Sequence, residues 1–304
     1  MTVVGSLVAD HLVWLPHLPR LHETLVPTRS ALHLGGKGFN QAVTARRLGA
    51  SVSMVACAGE DGFGSAFQAA LVGEGIDARW VDRTQVAQTG MAMPMILPSG
   101  DNTIVLIPGA NEQLGLPQVE AARGRFIGCD VLLIQLEVPI MASRRAAEMT
   151  REGSGLVVLD PAPARQDAEE VIGLADWITP NEVEAAALAG CEAVDVTTAI
   201  VAGRRLLGRV RQGVVVTLGA LGCVAVTAEG ELHVPPFRVE PVDPTGAGDA
   251  FTAAFAVALC EGQSLEAALR FGAAAGAECV QVAGAEPGLP RRAAVEARLA
   301  SATG

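Results

Sequence analysis

The chain has 304 residues, no tyrosine among them, and only 4% aromatic residues. So few rings argue against a platform on which nucleic-acid bases stack. Basic residues are also scarce: 22 lysines and arginines face 33 acidic residues, which leaves a net charge of −11. A polyanion would be repelled by that charge, so we expect no nucleic-acid partner. The isolated arginine pairs at 46–47, 204–205 and 291–292 are predicted to lie on solvated helix faces.

Paired cysteine motifs and long apolar runs are missing as well. The six cysteines include no CxxC pair and lie among small or apolar residues, which predicts buried free thiols. They are Cys57, Cys129, Cys191, Cys223, Cys260 and Cys279. The longest strongly apolar run, 250–260, is too short to span a bilayer. The N-terminus turns polar too early for a signal peptide, so a cytoplasmic protein without a membrane partner is expected.

What the chain does contain is a regular alternation of apolar runs and helical patterns. Runs typical of buried strands lie at 51–59, 130–137, 154–163, 176–182 and 213–222. Helices are predicted near 63–75, 140–152, 181–190 and 195–211. Buried strands that alternate with helices form right-handed βαβ units, so the pattern predicts an α/β protein with a mostly parallel sheet.

Polar residues follow several of these strands, namely Glu137, Asp160, Asn181 and Thr217. In open α/β sheets, ligands bind beyond the carboxyl ends of the strands. The recurrence therefore predicts a ligand site at that edge of the sheet.

Two stretches break the rhythm. Residues 11–34 carry three prolines and mix apolar with polar residues, and residues 88–108 resemble a hairpin with "SGDN" as its turn. We expect both stretches to form strands of a small β lid over the carboxyl edge of the main sheet. The alternative is two irregular surface excursions.

The segment "LGGKGFNQAV" (34–43) begins an amphipathic helix. Gly35 and Gly36 allow a ligand to approach the backbone closely, and Lys37 adds a cation. Asn40, one turn further on, can both donate to and accept from a sugar hydroxyl. The spacing fits neither a Walker A motif nor GxGxxG. A plain glycine turn with solvated Lys37 and Asn40 is the alternative.

The segment "DPTGAGDAF" (243–251) predicts an anion site at a helix start. Thr245 can act as the N-cap, and residues 246–248 would form the first turn. Free N–H groups and the helix dipole favour an anion there. Asp249 follows at once, and the apolar helix beyond it is predicted to be buried. The alternative is an ordinary first-turn aspartate that stabilises the helix dipole.

Two further segments each allow two interpretations. In "TPNEVEAA" (179–186), Asn181 and Glu184 are three residues apart and share a helix face. They can form a capping box, or face a magnesium–phosphate complex through water. The segment "TLGALG" (217–222) is either a hairpin turn or a wall of a nucleotide site.

In this order along the chain, "GGKGFNQAV", "TPNEVEA", "TLGALG" and "DPTGAGDAF" resemble the PfkB carbohydrate kinase family. The segments "GSLVAD" (5–10), "GAN" (109–111), "QLE" (135–137) and "DPAPAR" (160–165) lie at matching places, so the resemblance covers essentially the whole chain. It implies one kinase domain over 1–304, a Rossmann-like α/β/α sandwich with a small β-sheet lid from about 11–34 and 88–108. A homodimer joined through the lid is also implied.

The implied reaction transfers the γ-phosphoryl group of ATP to a sugar hydroxymethyl. Ribose is the favoured acceptor, and another pentose, a ketohexose, a sugar acid or a nucleoside is the alternative. Asp249 would be the catalytic base, and the backbone of Gly246, Ala247 and Gly248 the anion hole. The sugar contacts would be Asp10, Gly36, Lys37, Gly38, Asn40 and Glu137. The nucleotide contacts would be Asn181, Glu184, Thr217, Leu218, Gly219, Gly222, Gly248 and Ala273.

The same resemblance implies two metal ions. Glu184 would bind Mg²⁺ through water. A monovalent cation, K⁺, would lie beside the anion hole. Its matching positions are Asp243, Thr245, Cys279, Val282, Gly284 and Gly288. Related kinases often carry a hydroxyl at the last position, which Gly288 lacks.

Two residues depart from the family pattern near the sugar. Val8 stands where related bacterial kinases often carry an asparagine that contacts the sugar, and valine offers no hydrogen bond. Phe39 stands where a small residue is frequent and is expected to reshape the pocket.

Three rival functions make different predictions. An NAD oxidoreductase would carry GxGxxG after the first strand, where "VVGSLVADH" has one glycine. A regulatory module would have lost the base, yet Asp249 is present. A nucleoside kinase of the same family is the serious alternative, because Val8 and the methionine-rich stretch 91–95 could leave apolar room for a base.

Overall fold

A computed structural model describes residues 1–99 and 102–301. Gly100 and Asp101, half of the predicted "SGDN" turn, lie outside the described residues. In chain order the strands are β1 (Thr2–Val4), β2 (Val8–Trp14), β3 (Arg29–Gly35), β4 (Ser53–Gly59), β5 (Asp77–Thr84), β6 (Gly90–Ile96), β7 (Asn102–Ile107), β8 (Val131–Ile134), β9 (Leu156–Leu159), β10 (Trp177–Ile178), β11 (Gly213–Thr217), β12 (Cys223–Thr227) and β13 (Gly230–Val234).

Helices separate most of these strands. They are α1 (Lys37–Arg47), α2 (Gly62–Gly73), α3 (Leu116–Ala121), α4 (Arg123–Ile127), α5 (Ile140–Glu152), α6 (Glu169–Leu174), α7 (Glu182–Ala189), α8 (Val196–Leu207), α9 (Ala247–Cys260), α10 (Leu265–Cys279), α11 (Ala285–Gly288) and α12 (Arg292–Ser301). Short 3-10 helices lie at Gly109–Gln113, Gln166–Ala168 and Gly219–Leu221.

The main sheet has the strand order β13-β12-β11-β10-β9-β8-β1-β4-β5. From β5 to β11 every neighbouring pair is parallel, and only β12 and β13 pair antiparallel. Buried strand residues alternate between two apolar cores, because successive side chains of a strand point to opposite faces. Leu133 belongs to the core with α1, α9 and α10, whereas Leu132 and Ile134 belong to the core with α5 and α8. The predicted α/β/α sandwich is confirmed.

A second sheet has the order β3-β2-β6-β7. Its strands come from the two stretches that break the βα rhythm, and the first of them begins at Val8, earlier than residue 11. The antiparallel pairing of β2 with β3 sets Asp10 opposite His33 and Val8 opposite Gly35. Directly opposite residues share a face of the sheet, so Val8, Asp10 and His33 lie on the same face. The small β-sheet is confirmed, and its action as a lid stays a proposal.

Three expectations about single residues need correction. Arg47 is not solvated, because its guanidinium is almost buried between Glu74 and Glu286, with N–O distances of 2.5 Å and 2.7 Å. Cys260 is exposed and Cys191 is half-buried, while the other four thiols are buried as predicted. Cys260 ends α9 at the surface, beyond the buried part of that helix. Within the described residues, no helix is long and apolar enough to cross a membrane.

Candidate active site

The candidate site lies at the carboxyl edge of the main sheet. Ser6 follows β1, Glu137 follows β8 and Asp160 follows β9. Asn181 follows β10 and forms a parallel bridge with Thr217, the last residue of β11. The first turns of α1 and α9 reach the same edge, since the two helices pack against each other. The polar strand ends therefore converge as predicted.

Two glycines bring α1 onto this edge. A Cβ on Gly38 would lie 2.5 Å from the carbonyl carbon of Gly5, and one on Gly5 would lie 2.7 Å from Gly38 Cα. Only hydrogen fits at both positions, because real Cβ atoms do not come this close to backbone. The approach places the first turn of α1 directly over the turn that follows β1, where its N–H groups and polar side chains face the site.

Asp249, the predicted base, is buried in the first turn of α9. Asn40 Nδ2 donates to its Oδ2 over 2.8 Å, and Gln41 Nε2 donates to its Oδ1 over 3.2 Å. Both donors are neutral amides from α1. Hydrogen bonds to a carboxylate favour its ionised form, which is the form a general base requires.

Asp160 and Lys37 form an ion pair in the same cluster. Lys37 Nζ lies 3.9 Å from Asp160 Oδ2, and Gln41 Nε2 donates to that oxygen over 2.9 Å. Burial raises the pKa of Asp160 well above its ordinary value, against the opposing charge of Lys37. Burial lowers the pKa of Lys37, but the surrounding carboxylates, Asp160 foremost, outweigh it and raise that pKa. Lys37 is therefore a permanent cation among acidic groups.

Asp10 and Glu137 form the side of the cluster next to the small sheet. Glu137 Oε2 accepts from the hydroxyl of Ser6 and from the backbone N–H of Lys37 over 3.1 Å. Burial raises the pKa of Asp10 to about 7, and the charges of Glu137 and Asp249 add to the rise. A carboxyl group with this pKa titrates near neutral pH. Two carboxyl groups beside a half-buried lysine suit a ligand with several hydroxyls.

The start of α9 differs from the prediction at Thr245. The helix begins at Ala247 and its N-cap is Gly246, which adopts a left-handed conformation with φ of 84°. Thr245 is not the N-cap: it precedes Gly246, and its side chain turns away to Asp243, to whose Oδ1 the hydroxyl donates over 2.6 Å. The amide of Ala247 donates to Pro244 O over 3.2 Å. Among the described residues, nothing accepts from the amides of Gly246, Gly248 and Asp249. An anion fits these three N–H groups, in the first turn that also carries the carboxylate.

The positions implied for a monovalent cation lie together beside this turn. Asp243 accepts from the Gly284 amide over 2.8 Å, and the Cys279 thiol donates to Thr245 O over 3.6 Å. A Cβ on Gly288 would lie 2.7 Å from Cys279 O and 3.4 Å from Val282 O. Carbonyl oxygens therefore converge here, and they leave no space for the hydroxyl that Gly288 lacks. Burial opposes ionisation of Asp243, but hydrogen bonds from Thr245 and Gly284 outweigh it and lower its pKa.

The nucleotide positions form the far side of the cluster. Asn181 Oδ1 accepts from the Glu184 amide and Glu184 Oε2 accepts from the Asn181 amide, each over 2.9 Å. This is the capping box, one of the two interpretations left open. Burial raises the pKa of Glu184, against the hydrogen bond from Asn181 and the charge of Lys37. The turn after Thr217 joins β11 to β12 as a hairpin, and Ala273 lies half-buried on α10, which packs against α9.

Phe39 does not reshape the pocket, contrary to expectation. Its ring is buried against Phe67 of α2, with a centroid distance of 5.1 Å in an edge-to-face arrangement. Phe39 points into the core because its neighbours Gly38 and Asn40 occupy the face of α1 that meets the site. Val8 stays relevant to the sugar, since it shares a face of the small sheet with Asp10.

Two residues of the cluster escaped the motif analysis. Gln41 touches Asp160, Asp249 and Gln135, and Ser6 touches Glu137. Gln41 had a readable signal, because Lys37, Asn40 and Gln41 stand at i, i+3 and i+4 and share a helix face. Ser6 had none, since a serine after a strand is common. Within the described residues, no cluster of three or more His, Cys, Asp or Glu side chains could hold a metal ion.

Comparison with known proteins decides the family. The model of the pfkB family carbohydrate kinases matches residues 3–292. The chain belongs to this family. It is 39% identical over 293 residues to a ribokinase of Haemophilus influenzae, covering 96% of this chain and 95% of that protein. It is 31% identical over 271 residues to a deoxyribokinase of Salmonella typhimurium, covering 89% of each. The structure of Arabidopsis thaliana ribokinase complexed with ribose and ATP matches with a TM-score of 0.88, at 32% identity, over 98% of this chain and 97% of that chain.

The family membership agrees with the arrangement of the site. Phosphoryl transfer to an alcohol needs a base, an anion site and a polar acceptor pocket held in fixed positions. In this PfkB kinase, a buried carboxylate, three free amides and a cluster of polar side chains lie on the first turns of α1 and α9 and on the adjoining strand ends.

Proposed function

We propose that this PfkB kinase transfers the γ-phosphoryl group of ATP to the hydroxymethyl group of a sugar, and that D-ribose is its preferred acceptor. The single observation that carries the proposal is the position of Asp249, whose carboxylate is held by Asn40 and Gln41 in the turn that presents free amides. The ribokinase relative in Haemophilus and the Arabidopsis ribokinase complex with ribose and ATP support both substrates.

The acceptor hydroxyl would lie beside Asp249. As its oxygen attacks the γ-phosphorus, its proton passes to the Asp249 carboxylate and the bond from phosphorus to the bridging β–γ oxygen breaks. ADP leaves with the bonding electrons, and the sugar phosphate forms. The amides of Gly246, Gly248 and Asp249 would stabilise the negative charge on the transferred group, and Lys37 would add a fixed positive charge.

The remaining sugar hydroxyls have polar groups to meet. Asp10 and Glu137 offer carboxylate oxygens, and Asn40 Oδ1 is buried with no partner among the described residues. A buried acceptor without a donor is costly, and a sugar hydroxyl would satisfy it. Gly36 adopts a left-handed φ of 90°, which turns the backbone at the start of α1 toward this space.

Two metal ions would assist. Glu184, a half-buried carboxylate that senses the charge of Lys37, would hold Mg²⁺ on the phosphates through water, where the ion would neutralise developing charge. K⁺ would lie among Asp243 and the carbonyl oxygens of Thr245, Cys279 and Val282, with Gly284 and Gly288 shaping the loop. The test compares the kinase rate in a K⁺ salt with the rate in a tetramethylammonium salt. Equal rates would contradict the K⁺ proposal.

A second candidate acceptor is 2-deoxyribose. Val8 shares a face with Asp10 yet offers no hydrogen bond, so one sugar hydroxyl would lack a partner that related kinases supply. The deoxyribokinase of Salmonella typhimurium is among the relatives, which supports a pocket for a less hydroxylated sugar.

The small sheet would act as a lid within one kinase domain and would join two copies. On the face opposite Asp10, β3, β6 and β7 expose Leu32, Met93, Val105 and Ile107. These four side chains are apolar and between 38% and 55% exposed, as expected of a surface that a second copy covers. A mass measurement in solution on the parent chain and on Val105→Asp tests the homodimer, because the charge would yield monomer.

The function is tested by following ADP release with ATP, Mg²⁺ and a panel of acceptors. The panel contains ribose, 2-deoxyribose, other pentoses, ketohexoses, sugar acids and nucleosides. We expect ribose to give the highest kcat/KM. Silence with every acceptor would refute the kinase proposal, and a preference for nucleosides would refute the sugar assignment.

A further inference from the structure

Gln41 lies at the centre of the buried hydrogen bonds that reach Asp249. It is fully buried on α1. Its Nε2 donates to Asp249 Oδ1 over 3.2 Å and to Asp160 Oδ2 over 2.9 Å, and its Oε1 accepts from Gln135 Nε2 over 2.5 Å. One side chain thus joins both buried aspartates to the strand end of β8.

The orientation of the Gln41 amide follows from its neighbours. A carboxylate only accepts hydrogen bonds, so the NH₂ group must face Asp249, the proposed base. The same NH₂ group donates to Asp160 Oδ2. The carbonyl oxygen then needs a donor, and Gln135 supplies it. A flipped amide would set an oxygen against two carboxylates and leave Gln135 without an acceptor. The carboxylate of Asp249 therefore selects the orientation of the Gln41 amide, and Gln135 turns its NH₂ group toward Gln41 Oε1.

This orientation has a consequence for the base. Each oxygen of Asp249 accepts from one amide, Oδ2 from Asn40 and Oδ1 from Gln41. Two donors on different oxygens fix the plane of the carboxylate and favour its charged form. The charge of Asp249 adds to the rise in the pKa of Asp160, and the NH₂ group of Gln41 lies between the two carboxyl groups, where it donates to both. Without Gln41, Oδ1 would face a second buried carboxylate with no donor between them.

We propose that Gln41 is a positioning residue of the phosphoryl transfer, which holds the Asp249 carboxylate in its reactive plane and in its ionised form. The role rests on the proposed function, since it requires Asp249 to be the base. No part of Gln41 has to contact the sugar or ATP. Its effect therefore falls on kcat and on the pH dependence of kcat, and KM for the sugar should change little.

The decisive variant is Gln41→Leu, which keeps the approximate size and removes both donors. We expect kcat to fall about 10- to 100-fold, the range for losing a hydrogen bond to a charged group. The acid limb of the pH–kcat profile should move up by about one pH unit, because the base becomes easier to protonate. Gln41→Glu should lose more, since it adds a third carboxylate.

Thr44→Val is the matched control. Thr44 is buried on the next turn of α1, and its hydroxyl has no partner among the described residues, so its loss should leave the profile unchanged. Gln135→Leu tests the same role through a residue that does not touch Asp249, because it removes the donor to Gln41 Oε1 and so loosens the hold on the Gln41 amide. It should move the acid limb in the same direction by a smaller amount. If Gln41→Leu does not fold, this variant decides.

The outcomes separate cleanly. A wild-type rate with an unmoved acid limb in both Gln41→Leu and Gln135→Leu overturns the positioning role. A lower rate with an unmoved acid limb also overturns it, because the loss would then be structural. A parent enzyme that is silent with every acceptor refutes the proposed function instead, before any variant is compared.

Discussion

Asn40 and Asp249 are 209 residues apart in the chain, and the side-chain amide of one donates to the carboxylate of the other over 2.8 Å. The bond joins the first turn of α1 to the first turn of α9. One turn carries Lys37 and Asn40, and the other carries three free amides and the Asp249 carboxylate. Under the proposed function, two helix starts that meet in this way would place a hydroxyl, a phosphoryl group and a proton acceptor within one small space.

Replacing Asp249 by asparagine should remove catalysis while keeping the shape of the site. We expect kcat to fall about 10²- to 10⁴-fold in Asp249→Asn, the usual contribution of a general base. Asp176→Asn is the control, since Asp176 is also buried but precedes β10 at the opposite edge of the sheet. It accepts from the Val157 amide over 2.9 Å, so the control should lower the melting temperature and spare kcat. A near-wild-type rate in Asp249→Asn would remove Asp249 as the base.

Asp10 predicts an unusual dependence of stability on pH in the absence of sugar. Its pKa of about 7 in the folded chain lies above the ordinary 3.8, so the folded state binds the proton more tightly than the unfolded state. The free energy of unfolding should therefore fall as pH rises from about 4 to about 7, and it should stay at the lower value at higher pH. Asp10→Asn removes the ionisation.

The measurement is the melting temperature of Asp10→Asn and of the parent chain between pH 4 and pH 8. At pH 8 the free energy of unfolding of the variant should exceed that of the parent by roughly 2 kcal/mol or more, which raises the melting temperature by several degrees. Near pH 4 the two should be equally stable. Asp61→Asn is the control of opposite sign. Burial opposes ionisation of Asp61, but bonds from Gly64 and Thr89 outweigh it and lower its pKa, so Asn there should destabilise at neutral pH. Parallel curves for Asp10→Asn and the parent would contradict the assignment.

Local rules predicted most of the fold and part of the site. Helix 140–152 was predicted with both bounds correct, because its apolar period and its flanking proline and glycine are all local. The capping box of Asn181 and Glu184 is local too. The prediction of Thr245 as N-cap was wrong. The helix begins at Ala247, and the residue before it, Gly246, is the N-cap and has a left-handed conformation. The choice depended on Asp243, which binds the threonine hydroxyl.

Long-range contacts account for what the sequence could not show. Gln41 meets Gln135 and Asp249, which are 94 and 208 residues away, so its role follows only from the folded sheet. Phe39 was expected in the pocket because of its size. Its burial against Phe67 depends on how α2 packs on α1, which no pattern within "GGKGFNQAV" encodes.

Glu184 predicts the magnesium dependence of the reaction. Glu184→Gln keeps a capping box, which glutamine also forms, and removes the half-buried charge. The Mg²⁺ concentration for half-maximal rate should rise about tenfold, while the rate at saturating Mg²⁺ stays close to that of the parent. Glu182→Gln is the control, because it removes a charge from the same first turn of α7. An equal rise in both variants would attribute the effect to the general field of the helix.

Val8 predicts which sugar the enzyme prefers. An asparagine at this position would offer a donor and an acceptor on the face that carries Asp10, and a hydroxyl at C2 is the group that distinguishes ribose from 2-deoxyribose. In Val8→Asn the ratio of kcat/KM for ribose to that for 2-deoxyribose should rise about tenfold, as expected for one added hydrogen bond. Val8→Ala is the control, since it enlarges the same space without a polar group and should leave the ratio low. If alanine and asparagine change the ratio equally, space and not hydrogen bonding sets the preference, and Val8 is not what selects between the two sugars.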